Sequence, residues 1–103
     1  MNHFTNERGF GSIGSQPVWL FRAQKPPGDH PVGAYFTTLD ASAPNLAARL
    51  RIPRSKLAYV FSFAEHDGDL RPLRGGRGRY VHYSPHDYSV EVERQISKGA
   101  TGL

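Results

Sequence analysis

Three kinds of side chain spaced along this chain could share one piece of chemistry: the imidazole of His3, the phenol ring of Tyr35, and a carboxylate from the late acids Asp87 and Glu91. Cleavage of an N-glycosidic bond to a cationic leaving group needs such a set. A carboxylate stabilises the positive charge developing on the sugar, an aromatic ring fixes the leaving ring, and a histidine holds a ribose hydroxyl. Taken singly, each residue has an ordinary use, since a lone histidine usually serves structure and a lone tyrosine usually packs. The joint pattern carries the inference.

The elements that must position these groups are mostly strands. Met1 to Thr5 reads as a first strand carrying His3, and Gly33-Ala34-Tyr35-Phe36-Thr37-Thr38 reads as a second, its glycine permitting close approach of another molecule. From Asp87 to Glu93 apolar and polar residues alternate, so Tyr88, Val90 and Val92 face one way and Asp87, Ser89, Glu91 and Glu93 the other. Val18 to Ala23, Leu57 to Ala64 and Tyr80 to Tyr83 supply further strands, with Trp19 in the core. Asn6 caps a helix over Glu7 to Ile13, and Asp40 or Ser42 caps another that has Pro44 in its first turn and Leu46, Ala47 and Leu50 on one side. Lys25 to Pro31 is a loop, because its prolines and glycine exclude helix. The pattern predicts an α+β domain of about six strands and two short helices over residues 1–94, with 95–103 a frayed tail.

Composition bounds the rest. At 103 residues the chain is one domain with room for one sheet-based core. A net charge of +4 and a pI of about 9.8 favour an anionic partner. The absence of cysteine excludes disulfides and thiolate zinc sites. No apolar run approaches transmembrane length, and the N-terminus lacks a signal-peptide pattern, so no membrane partner is expected.

His3-Phe4-Thr5, the Gly33 to Thr38 segment and the β-rich end with Asp87 together resemble the ADP-ribosyltransferase superfamily, in particular the His-Tyr-Asp class found as bacterial polymorphic-toxin domains. The resemblance implies a compact, split and strongly bent sheet gripping NAD in its cleft. By it, His3 would hydrogen-bond the adenosine ribose, the backbone of Phe4 would hold the nicotinamide carboxamide, and Tyr35 would stack on the nicotinamide ring. Thr5 and Phe36 flank these positions, Arg22 is the candidate for the pyrophosphate, and the donor loop would be Lys25 to His30. The chain departs from the polymerase-type relatives at three places, one being the compact segment between His3 and Tyr35. Arg79 stands where they carry glutamate, so the acid falls to Asp87, with Glu91 second; Leu46 stands where they have a second stacking tyrosine. The resemblance further implies transfer of ADP-ribose to a protein or nucleic-acid acceptor, a cognate immunity protein as partner, and a secreted or delivered effector acting in the target-cell cytoplasm. With His3 as a ligand, the working domain starts almost at the first residue, which suggests the C-terminal piece of a longer toxin.

Other readings of the same residues stand beside this one. Arg74-Gly75-Gly76-Arg77-Gly78-Arg79 is a basic glycine-rich stretch of the kind that binds RNA, although one short copy also suits a plain surface loop. His82 or His86 with Glu91 could act as acid and base in a small ribonuclease. A non-catalytic module binding NAD or RNA is the third alternative. His82 and His86 straddle a proline-containing turn rather than a helix face, which argues against a metal site.

Overall fold

Short runs of large apolar residues separated by turns make this a mainly β chain, and the computed structural model describes residues 1–26, 28–75 and 79–103 of it. The strands are β1 (Asn2–Thr5), β2 (Trp19–Phe21), β3 (Ala34–Thr37), β4 (Tyr59–Phe63), β5 (Arg71–Pro72), β6 (Val81–Ser84), β7 (Tyr88–Val90) and β8 (Gln95–Ala100). Six of them form one sheet in the order β5-β6-β3-β1-β4-β8, and β2 pairs with β7 in a second. Each named strand pairing is antiparallel. Helix α1 (Glu7–Gly14), helix α2 (Leu46–Leu50) and 3-10 turns at Arg54–Leu57 and Val92–Arg94 complete an α+β fold of the expected class.

The small sheet lies across one face of the large one. Between them Phe21 meets Phe36 at 5.2 Å, Phe61 at 5.6 Å and Phe63 at 5.9 Å between ring centroids. Trp19 joins edge-on to Phe61 at 4.9 Å, so its expected core role holds. Phe21, Phe61, Phe63 and Val90 are fully buried, and removing each from water is worth about 1.5–3 kcal/mol. A second cluster of Phe4, Leu46 and Leu57 packs on the opposite face. Alternation along β1 explains the division: His3 and Phe4 are successive residues and point to opposite sides.

Several local expectations are met and several are corrected. The Asn6 side chain accepts from Gly9 N at 2.8 Å and starts α1, as its type requires. Neither Asp40 nor Ser42 caps α2. Asp40 instead closes a turn on Ser42, accepting from its backbone N–H at 2.9 Å, and the cap position belongs to Asn45 in left-handed backbone with φ 55°. The run from Asp87 does not continue as strand to Glu93, because it breaks into a 3-10 turn after β7 and leaves Val92 exposed.

The largest correction concerns residues 95–103. Instead of fraying, Gln95–Ala100 forms edge strand β8 against β4, with a register shift between Ser62 and Phe63. Side chains tie it down: Lys98 Nζ donates to Gly14 O at 2.8 Å, and Gln95 Nε2 donates to Pro17 O at 2.7 Å. Thr101 N donates to Ala58 O at 2.9 Å just beyond the strand. The domain boundary expected after residue 94 therefore falls inside the sheet.

Candidate functional site

β1 and β3 are neighbours in the sheet, but their register holds one residue pair, Asn2 opposite Thr37. Beyond it the strands part, and the imidazole of His3 spans the opening: its Nδ1 lies 2.9 Å from the carbonyl oxygen of Tyr35. A carbonyl can only accept, so Nδ1 carries the proton and donates, leaving Nε2 as the acceptor nitrogen of the neutral ring. The first motif segment is thereby hydrogen-bonded to the second.

The two rings nevertheless leave the sheet on opposite sides, which corrects the expectation that they converge on one cleft. His3 packs against Phe21 at 4.7 Å and Phe36 at 5.6 Å, between the two sheets. Tyr35 follows the opposite pleat from Phe36 and stands on the other face, stacked on Tyr83 at 5.5 Å with an interplanar angle of 18°. The cause is the period of two along β3: with Phe36 committed to the core, Tyr35 must point away from it. Burial is the main influence on the His3 ring and holds its pKa below the ordinary 6.5; the Tyr35 carbonyl opposes that shift and the positive charge of Lys56 adds to it.

Tyr35 is held from several directions. Its hydroxyl donates to Pro31 O, and the ring of His30 lies 6.5 Å away, so the loop before β3 folds beside it. That loop is closed by a pair of 3.0 Å hydrogen bonds between Gln24 and Gly33, and Lys25 Nζ donates to His30 O at 2.9 Å. Gly33 is required where it stands, because a Cβ there would lie 2.5 Å from the backbone oxygen of Ser84 and 3.0 Å from Tyr83 Cδ2. Pro27 of this loop lies outside the described residues, as do Gly76, Arg77 and Gly78 of the arginine-glycine stretch.

The remaining expected site residues divide among other places. Phe36 and Leu46 are core residues at 3% and 4% exposure, which corrects their assignment to a ligand. The side chain of Phe4 is buried in the second cluster, so only its backbone is a candidate contact. Thr5 is half-buried at the end of β1, and Arg22 is exposed just past β2. Asp87 and Glu91 lie on the side of the small sheet. Asp87 Oδ1 accepts from Ala23 N at 2.7 Å, and Glu91 pairs with Arg94 at 3.0 Å.

Both acids line a cavity of about 400 Å³ together with His66, Asp69, Tyr88, Ser89 and Arg94. A connected network runs through it: Tyr88 Oη donates to Asp69 at 2.9 Å and accepts from Arg94 Nη1 at 2.9 Å, while Arg94 Nη2 reaches Ser89 O at 2.6 Å. Burial is the leading cause that raises the Tyr88 pKa above its ordinary range. Sequence reasoning did not single out this network. The acid-only alternation pointed at Asp87 and Glu91, whereas Asp69 reaches the cavity from a loop of distant sequence. The histidine beside Glu91 in this cavity is His66, not the His82 or His86 expected for a ribonuclease pair. His82 points toward the core side, opposite Phe36 in the register, and its buried Nδ1 has no hydrogen-bond partner among the described residues.

Among the described residues, no three His, Asp or Glu side chains are grouped to hold a metal ion, and no helix is long and apolar enough to cross a membrane. No family model, curated protein or solved structure matches this chain.

Proposed function

We propose that this chain is a mono-ADP-ribosyltransferase domain of a toxin, using NAD as donor and a macromolecule as acceptor. The observation that supports it is the opening between β1 and β3, where the His3 imidazole reaches the Tyr35 backbone and joins the two motif segments on which the resemblance rests. Tyr83 stacks on the Tyr35 ring, and in this reading the nicotinamide is held against that aromatic pair beside the backbone of Phe4. In this reading His3 is a positioning residue that braces the opening from the core side. The reaction breaks the bond between the ribose anomeric carbon and the nicotinamide nitrogen and forms one from that carbon to an acceptor nucleophile. Nicotinamide leaves with the bonding electron pair, and the acceptor loses a proton. Toxin delivery and a cognate immunity partner belong to the same proposal.

A second reading, NAD binding without turnover, is favoured by the placement of the acids. Asp87 and Glu91 are both tethered on the side of the small sheet, away from the face that carries Tyr35, and Arg79 replaces the glutamate of polymerase-type relatives. One experiment separates the readings: thermal shift with NAD, followed by nicotinamide release with and without cell lysate. Transfer predicts a stabilising shift together with release, both lost in Tyr35→Ala. A shift without release supports the binding module. Neither shift nor release from a folded sample would sink both.

A further inference from the structure

The cross-strand register sets Arg71 opposite Tyr83, and Tyr83 opposite Tyr35, so these three side chains form one row on one face of the large sheet. One row along, Val81 and Thr37 are buried on that same face, together with nearby Leu73. The face is therefore covered at one end and open at the other, where Arg71 is exposed and both tyrosines are half-exposed. Tyr35 and Tyr83 are nearly parallel, so Tyr35 covers Tyr83 from the β3 side, and β5 with Arg71 borders the half-exposed Tyr83 on the other.

We propose that this row binds single-stranded nucleic acid, with a base stacked on Tyr83 and the adjoining phosphate held by Arg71. An aromatic face beside a guanidinium matches the alternating flat base and anionic phosphate of an unpaired strand. The charge distribution favours this partner over a protein. No carboxylate occurs from Leu70 to His86, a stretch that carries Arg71, Arg74, Arg77 and Arg79. Asp69, Asp87 and Glu91 gather instead around the cavity on the side of the small sheet. Of the large apolar side chains exposed among the described residues, only Val32 adjoins the row in sequence, so the surface lacks the apolar centre of a protein interface. This surface does not depend on NAD, and its test contains none.

The experiment is fluorescence anisotropy of the full chain with labelled oligo-uridine and oligo-thymidine of about twelve nucleotides, titrated with salt from about 50 mM upward. Tyr83→Leu should weaken binding by roughly tenfold or more, whereas Tyr83→Phe, which keeps the stacking face, should hold it near the parent value. Arg71→Gln on the exposed edge strand should weaken binding and flatten the salt slope by about one. Equal affinity for the two oligomers points to stacking and phosphate alone, and preference for uridine adds recognition of the ribose hydroxyl. Absence of binding to either at low salt would overturn the proposal. Unchanged affinity and salt slope in Arg71→Gln, verified as folded by circular dichroism, would overturn it even if Tyr83→Leu fails to fold.

Discussion

His3 shows how one side chain can carry a motif and still be tied to the fold. Its ring lies between Phe21 and Phe36, and its donor nitrogen is engaged by the Tyr35 carbonyl, so it is kept neutral by burial. In the unfolded chain the same ring titrates near 6.5. Below that pH the unfolded state binds a proton that the folded state resists, so stability is whole above about 6.5 and falls as the solution is acidified. Urea midpoints from pH 5 to 8 should decline on the acid side, and His3→Asn should decline less steeply while being less stable at pH 8. Parallel declines in the two proteins would remove His3 as the cause. The ring was legible as special from its neighbours Phe4 and Thr5; its direction was not, because the face to which His3 points depends on where Phe36 and Phe21 are buried.

Strand β8 marks the limit of pattern reading at the level of elements. Gln95, Ile96, Ser97, Lys98, Gly99 and Ala100 show no buried alternation, and all six are exposed or half-exposed. What holds them is the backbone ladder to β4, to which composition is blind. Without β8, the largely apolar strand Tyr59–Phe63 would present a bare edge and become a template for another chain. Truncation after Arg94 should lower the melting temperature by about 10 °C or more and cause concentration-dependent association. An unchanged melting temperature with a monodisperse sample would show that β8 contributes little. Helix α1 was the easier case: Asn6, Phe10 and Ile13 carry cap and face within eight residues, and the structure uses them so. Helix α2 was harder, because its ends are left-handed residues, Asn45 and Arg51, rather than the side-chain caps offered by Asp40 and Ser42.

At the level of the whole molecule, the two sheets share one aromatic core, so they should unfold together. Trp19, the only tryptophan, sits on the small sheet and touches Phe61 on the large one, which makes its fluorescence a reporter of their contact. Urea unfolding followed by Trp19 fluorescence and by far-ultraviolet circular dichroism should give coincident transitions. An earlier fluorescence transition would mean that the small sheet detaches first. By itself the sequence determined the α+β class, the strands around Trp19, Tyr35 and Phe61, the cap at Asn6 and the acid-free run of arginines between Leu70 and His86. These are carried by residue type and by periods of two and 3.6, which neighbours in the chain express directly. Only the tertiary structure decided that His3 and Tyr35 point to opposite faces, that Asp87 and Glu91 join Asp69 around a separate cavity, and that Tyr83 and Arg71 line up with Tyr35. Register and sheet order settle such matters, and they depend on which distant apolar residues are buried together, a sum over contacts that no local window contains.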